Sequence, residues 1–327
     1  MEKNKKILGM GNAVLDIIFS SDDNQIKKFG LIKGQMSIVD QKTSDETISG
    51  LKVRKKSSGG SVANTIAGIG ILGQEALFCG RVRDDEIGKD FIEDISKSGV
   101  KYLCEPVIDG PLTAKCLVFV TDDGERTMQT FLGASVNLEA ADIKEEYFEN
   151  VSILFVEGYL WSSDSARKAI FKAVNFAKDN NIQVAFSLSD SGLVKAFKDD
   201  FKEFISEYVN ILIGNESEFS ALFGQDSIDD LNKNIGKLVR LAVMTNGSKG
   251  AVLFNHDTIK MFNSIPNDNI IDSTGAGDMF AAGFLFKLNQ NKSLEVSIEF
   301  GCNVASKILS QYGARPSKEM FKEFISN

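Results

Sequence analysis

The sequence predicts an α/β fold: a mainly parallel sheet covered by helices on both faces, with a small β-rich appendage. Three observations carry this expectation. Short apolar runs alternate with segments of helical periodicity through the middle of the chain. Several of those runs end in polar or glycine-rich turns, so polar residues collect beyond one end of the predicted sheet. One stretch, 101–131, breaks the alternation and reads as a hairpin instead.

Taken in order, "MEKNKKILGMGNAVLDIIF" opens with a basic region and then an apolar one, like a leader peptide. Asn12 and Asp16 interrupt its apolar part and no small-residue cleavage site follows, so it reads as a buried first strand. Residues 12–20 and 36–40 are candidate partners for the hairpin "TAKCLVFVTDDGERTMQTFLG", whose turn is Asp122-Asp123-Gly124. Together they form a predicted lid, discontinuous over approximately 12–48 and 101–131, within a single domain of residues 1–327. The basic run Arg54-Lys55-Lys56 reads as a solvated loop or a helix end.

The segment "SSGGSVANTIAGIGILG" (57–73) turns from polar and glycine residues into a helix of small side chains. Gly68 and Gly70 permit close packing of neighbouring elements. Gly59 and Gly60 equally permit close approach of a ligand to the backbone, with Asn64 offering an amide to hydroxyl groups. The residues alone leave both readings open.

Next come the apolar runs "SILFVEGYL" (152–160), "IQVAFSLSD" (182–190), "VNILIGNESE" (209–218) and "RLAVMTNGSKG" (240–250). Between the first two lies "SARKAIFKAVNFAKDNN" (165–181), apolar on one helical face and polar on the other. Runs apolar on both faces are what a buried parallel sheet requires. Asp190, Asn215, Glu218, Thr245 and Gly247 all follow such runs. Asn255, His256 and Asp257 read as the turn of a hairpin after "AVLF".

The stretch "IDSTGAGDMFAAGF" (271–284) places Asp272 and Asp278 on either side of a glycine-marked turn where a helix begins. Small residues at a helix start leave backbone N–H groups unpaired and accessible, which makes an anion hole assisted by the helix dipole. Asp278 in the first turn suits proton abstraction from a hydroxyl that attacks the bound anion. It equally suits a plain favourable interaction with the positive helix end.

Composition excludes several classes. With 43% hydrophobic and 25% charged residues, four prolines, and no repeat or low-complexity tract, the chain reads as a soluble globular protein. A net charge of -8 argues against a broad nucleic-acid surface but leaves room for a small anionic ligand. Four scattered cysteines without a Cys-x-x-Cys pair fit a reducing cytoplasm, and no run reaches membrane-spanning length. "GMGNAV" carries Val14 where a dinucleotide fingerprint needs its third glycine, and no Walker-type phosphate loop occurs. A single histidine makes a His-based metal cluster impossible and a Ser-His-Asp triad a poor fit.

In order and spacing, "GGSVANT" (59–65), "NESE" (215–218) and "DSTGAGDMFAAGF" (272–284) resemble the signatures of ribokinase-like, PfkB-type carbohydrate and nucleoside kinases. The resemblance runs from about residue 7 to 316. "GNAVLDII", "GERTMQTFLGA", "EGYLW" and "SLSD" are most similar to the bacterial adenosine kinase branch. Ser273 departs from the threonine of many relatives but keeps a hydroxyl.

The resemblance implies a three-layer α/β/α ribokinase-like core with a small β-sheet lid, and ATP-dependent transfer of the γ-phosphoryl group to a primary hydroxyl. Adenosine, at its 5′-hydroxyl, is the expected acceptor. A sugar or sugar acid (ribose, fructose or 2-keto-3-deoxygluconate) is the alternative, and a non-catalytic ligand sensor on the same fold a distant one. By resemblance Asp278 is the catalytic base, Gly275, Ala276 and Gly277 form the anion hole, and Asp272 shapes the loop. Asn215 and Glu218 organise Mg²⁺ through water, while Thr245, Gly247 and Gly250 hold nucleotide phosphate and ribose. Asn303 lies near the nucleotide base. Asp16, Gly60 and Asn64 grip acceptor hydroxyls beside Gly59, Asn12 lies near the acceptor's base, and Arg126 reaches the phosphates on lid closure. Met36, Cys116, Phe131 and Leu132 are candidates for an apolar purine pocket. ATP and Mg²⁺ are the implied cofactors; K⁺ stays open, because the family's monovalent-cation site is built largely from backbone carbonyls. The expected partner is a small nucleoside or sugar, with neither nucleic acid nor membrane, and the chain is compatible with a monomer or a homodimer.

Overall fold

Strands such as Lys6–Met10 and Val151–Glu157 send alternate side chains to opposite faces, and both sets are apolar. Ile7, Ile153 and Phe155 enter one core, while Leu8, Met10, Leu154 and Val156 enter a second. Only a sheet covered on both sides satisfies such strands. The computed structural model describes residues 5–224, 227–256 and 258–325. Its large sheet has nine strands in the order Thr258–Phe262, Ala251–Asn255, Leu241–Thr245, Ile211–Asn215, Gln183–Ser187, Val151–Glu157, Lys6–Met10, Ala76–Cys79 and Val100–Tyr102. Ala251–Asn255 pairs antiparallel with both of its neighbours, Thr258–Phe262 and Leu241–Thr245, and every other neighbouring pair is parallel.

Helices Ser61–Ile71, Glu86–Lys97, Ala276–Asn289 and Leu294–Ile308 cover one face. Asp164–Asp179, Lys198–Tyr208, Glu216–Phe223 and Ile228–Leu238 cover the other. This is the ribokinase-like α/β arrangement. Among the described residues no helix is long and apolar enough to cross a membrane. The four cysteines are free and buried.

A second sheet of five strands runs Met36–Ile38, Arg126–Phe131, Ala114–Val120, Val14–Ser20 and Lys55–Gly59. The hairpin read from 101–131 is its antiparallel pair Ala114–Val120 and Arg126–Phe131. Its bounds differ from 12–48 and 101–131 in two respects. Val100–Tyr102 belongs to the large sheet, and Lys55–Gly59 joins the small one. The run Arg54-Lys55-Lys56 is therefore neither a loop nor a helix end throughout. Lys55 and Lys56 start an edge strand, where charged side chains are accommodated because one side faces water.

Elsewhere the runs shorten. The strand read from 152–160 stops at Glu157 and turns into a 3₁₀ segment, Gly158–Ser162. His256 has the positive φ of a hairpin turn between Ala251–Asn255 and Thr258–Phe262; Asp257 lies outside the described residues.

Candidate active site

The helix Ala276–Asn289 starts on Gly275, whose φ of 79° lies in the left-handed region. A Cβ there would sit 2.4 Å from that of Ala314, so glycine is required twice over. The Ala276 amide donates to Ser273 O at 3.2 Å, which removes it from the expected anion hole. Among the described residues the Gly277 and Asp278 amides have no acceptor. A Cβ on Gly277 would meet nothing within 4 Å. Its absence matters to the protein only if something else must approach that backbone. The amides left open at this helix start are therefore those of Gly277 and Asp278.

Asp278 is partly exposed and faces the N-terminus of the Ser61–Ile71 helix. Its Oδ1 accepts from Ser61 Oγ at 2.7 Å and its Oδ2 from Asn64 Nδ2 at 2.8 Å. Thr65 Oγ1 donates to the Asp278 carbonyl at 3.1 Å. Gly68 allows this approach: a Cβ there would lie 2.9 Å from Ala282 Cβ, on the opposing helix. Desolvation raises the Asp278 pKa, against the lowering effects of Ser61, Asn64 and the Arg315 charge. Such a carboxylate is a better base than one in water.

Asp16, on the small sheet, lies beside the Gly59–Gly60 turn, where a Gly59 Cβ would come within 2.6 Å of its Oδ2. Burial pushes its pKa up to about 6, while Arg126 and Arg315 pull it down and Asp278 adds to the rise. Gly60 has φ 100°, and a Cβ there would lie 2.1 Å from the Asn12 carbonyl. Asn12 is buried and its Nδ2 donates to Glu157 Oε1 at 2.8 Å. That bond fixes the amide orientation, and among the described residues Asn12 Oδ1 and Asn64 Oδ1 are both buried without a partner. Two buried acceptors next to a carboxylate suit a ligand that presents hydroxyl or amino donors.

On the other side of the Ala276–Asn289 helix start lies a cavity of about 560 Å³. Thr245, Gly247, Gly250, Ala276, Gly277 and Cys302 are among its walls. Gly250 has φ 95°, and a Cβ there would meet the Phe262 carbonyl at 2.0 Å. The cavity would accommodate a nucleoside triphosphate, and the Gly277 backbone in its wall would be open to phosphate oxygens. Asn303 does not line the cavity. Its Nδ2 turns back to its own helix, donating to Glu299 O at 2.9 Å, and Cys302, Ala305 and Ser306 form that wall.

Asn215 and Glu218 form a capping box at the start of the Glu216–Phe223 helix. Asn215 N and Nδ2 donate to the Glu218 carboxylate at 2.9 and 2.8 Å, and Glu218 N donates back to Asn215 Oδ1 at 3.0 Å. Burial raises the Glu218 pKa to about 7 against the Asn215 amide bond, and Asp190 and Asp278 push the same way. Among the described residues no three His, Cys, Asp or Glu side chains group as a metal site. These donors fit a Mg²⁺ ion met through water and substrate phosphate, not a closed protein cage. Arg126 pairs with Asp272, Nη1 to Oδ2 at 2.8 Å, and keeps a buried, unpartnered Nε. Asp272 also accepts from Gly313 N at 2.8 Å and Thr274 N at 2.9 Å. Burial alone would raise its pKa; these donors and Arg126 hold it below the usual carboxylate value.

Residues 23–320 match the pfkB family carbohydrate kinase pattern. The chain belongs to the PfkB kinase family. PfkB kinases phosphorylate hydroxyl groups, generally with ATP and Mg²⁺. A solved adenosine kinase from Sinorhizobium meliloti is 33% identical, with a TM-score of 0.89 over 98% of both chains. A probable sugar kinase from Rhizobium etli CFN 42 is 32% identical with the same TM-score and coverage. A curated 5-dehydro-2-deoxygluconokinase from Geobacillus thermodenitrificans is 24% identical, covering 82% of this chain and 84% of its own.

Three residues of this PfkB site escape sequence reading. Ser61 sits inside "GGSVANT", and its place directly after a glycine pair at a helix start was the available signal. Glu157 follows an apolar run, as the other site residues do. It is fully buried, and its Oε2 accepts from Val62 N at 2.9 Å. Burial pushes its pKa up to about 7, against the Asn12 and Val62 donors, and Asp278 adds to the rise. Arg315, in "GARPS", carries no local signal; its partners are carbonyls more than 250 positions away.

Proposed function

We propose that the protein transfers the γ-phosphoryl group of ATP to the 5′-hydroxyl of adenosine, giving AMP and ADP. The carrying observation is the Asp278 carboxylate, oriented by Ser61 and Asn64 in the same helical turn whose Gly277 lines the nucleotide-sized cavity. An acceptor hydroxyl placed beside Asp278 loses its proton to the carboxylate as oxygen bonds to phosphorus. The Gly277 and Asp278 amides receive the charge developing on the phosphoryl oxygens. Arg126 Nε supplies a further donor from the lid. Mg²⁺, when bound, neutralises phosphate charge, with Asn215 and Glu218 holding its water shell.

Adenosine as acceptor is supported by the 33% identity to the Sinorhizobium meliloti enzyme along the whole chain. Electrostatics support it too. Asp16, Asp278 and Glu157 surround the acceptor side, three carboxylates against the one Arg315 charge, while Arg126 is paired with Asp272. A neutral nucleoside suits this environment better than a sugar-acid anion. Cys116, Val14, Val118 and Ile18 add an apolar patch on the Asp16 face of the small sheet.

The second reading is a sugar or sugar-acid kinase, favoured by the match to 5-dehydro-2-deoxygluconokinases. A panel of adenosine, ribose, fructose, 2-keto-3-deoxygluconate and 5-dehydro-2-deoxygluconate with ATP and Mg²⁺, followed by ADP release, separates them. Adenosine is expected to exceed the others about 100-fold or more in kcat/KM, the discrimination a site with unpaired buried acceptors gives. A sugar or sugar acid turned over faster than adenosine overturns the reading.

A further inference from the structure

Arg315 enters from the C-terminal loop and, among the described residues, has no carboxylate in ion-pair contact. Its Nε and Nη2 donate to Ser58 O at 3.0 and 2.6 Å, and Nη1 donates to Ala63 O at 2.7 Å. Those carbonyls flank the turn Gly59–Gly60 and the helix start that carries Ser61. On the far side Asp94 Oδ2 accepts from Ser58 N at 2.7 Å and Ser58 Oγ at 2.6 Å, so Ser58 is held from both directions. The neighbouring residues reach the phosphate side: Gly313 N donates to Asp272, and Ala314 packs beneath Gly275. One tripeptide, Gly313 to Arg315, therefore touches both halves of the site.

We infer that Arg315 is a positioning residue for the acceptor: it clamps the Gly59–Gly60 turn and places one fixed positive charge facing Asp16 and Asp278. The inference rests on the kinase reading above. A guanidinium suits the task, since its fork reaches two carbonyls at once and stays charged when buried. Burial lowers its pKa only to about 10, with Asp94, Asp16 and Asp278 opposing the fall. The charge is therefore present at any working pH.

The groups around these carboxylates are few. Asp278 meets Ser61 and Asn64 from the Ser61–Ile71 helix, with Arg315, Asp16, Glu157, Tyr159 and Glu218 in electrostatic reach. Asp16 faces Arg126, Arg315 and Asp278, with the Cys116 thiol opposite it on the neighbouring strand. Removing Arg315 takes away a positive charge that favours the ionised form of both carboxylates.

The test compares Arg315→Gln and Arg315→Lys in the full chain, using ATP and the best acceptor of the panel. Arg315→Gln is expected to raise acceptor KM about tenfold or more while ATP KM stays within about twofold. Its acid limb of kcat/KM should move up by about half a pH unit or more. Arg315→Lys keeps the charge but loses the fork, so the limb stays while acceptor KM still rises. A folded Arg315→Gln with wild-type acceptor KM and an unmoved limb overturns the inference. If the glutamine variant does not fold, the lysine variant decides through its KM split, wild-type KM values counting against the clamp. If the wild type phosphorylates no acceptor, the kinase reading fails by itself. The clamp is then tested by hydrogen exchange of the ligand-free protein. Amides in 57–64 should exchange faster in Arg315→Lys, with 165–179 unchanged, and equal exchange at 57–64 refutes it.

Discussion

At Asp278 both carboxylate oxygens already accept a hydrogen bond, one from Ser61 and one from Asn64. Each oxygen keeps a lone pair, so the group is oriented without being saturated. Asp278→Asn keeps the size and removes the base. Turnover should fall about 10²- to 10⁴-fold, with the thermal melting curve close to wild type. Near-normal turnover in a folded Asp278→Asn protein would show that another group takes the proton. Ser61→Ala removes a donor that favours the ionised carboxylate, so the Asp278 pKa should rise further. The acid limb of kcat/KM then shifts to higher pH, and a pH–rate profile reads the shift directly.

The start of the Ala276–Asn289 helix shows two glycines kept for different reasons. Gly275 is structural: its backbone is left-handed and Ala314 leaves no room for a methyl group. Gly275→Ala should destabilise the protein by about 1–3 kcal/mol from strain at that position, measured as a lower urea midpoint. Gly277 has ordinary helical geometry and open space around its missing Cβ. Gly277→Ala should leave the urea midpoint unchanged or slightly higher, since alanine favours helix by about 1 kcal/mol over glycine. It should nevertheless cut kcat/KM for ATP, because the methyl group projects where phosphate oxygens approach. A destabilised Gly277→Ala with normal ATP kinetics would reverse the two assignments. The capping box at Asn215 and Glu218 carries a related lesson at this scale: a pattern that by resemblance implies metal binding also closes a helix start.

Across the whole molecule the site gathers carboxylates that the fold holds at raised pKa. Asp16 is pushed up to about 6, Glu157 and Glu218 to about 7, and Asp278 upward as well, all mainly by burial. The folded protein binds more protons than the unfolded chain between the ordinary carboxylate values and these. Stability from these groups is therefore fully present below about pH 4 and is lost as pH rises through 6 and 7. Asp272 works in the opposite sense: its lowered pKa contributes stability at neutral pH that disappears on acidification through the folded value. Denaturant midpoints should accordingly fall from pH 5 to pH 8, the interval in which Asp16, Glu157 and Glu218 ionise. A urea series at pH 5, 6, 7 and 8 measures this. Midpoints that rise across the series would show the site carboxylates to be better solvated than the fold implies.

Much of this architecture was legible in the chain itself. Runs apolar on both faces dictate a doubly covered parallel sheet, and "DDG" between β-rich flanks dictates the hairpin, because both are local rules of side-chain alternation and turn geometry. The motifs at 59–65, 215–218 and 272–284 likewise named most of the residues that meet at the site. What the tertiary structure alone decided were the long-range pairings. Ser61 on Asp278, Glu157 on Asn12 and Val62, Arg126 on Asp272 and Arg315 on the Ser58 and Ala63 carbonyls join positions far apart in sequence. Local patterning carries no information about which distant donor finds a given acceptor. So the two aspartates bracketing the "STGAG" turn could be read as a pair from their spacing. The resemblance already gave them separate roles, and packing supplies the partners: the Arg126 ion pair for Asp272, and for Asp278 the hydroxyl and amide that orient it.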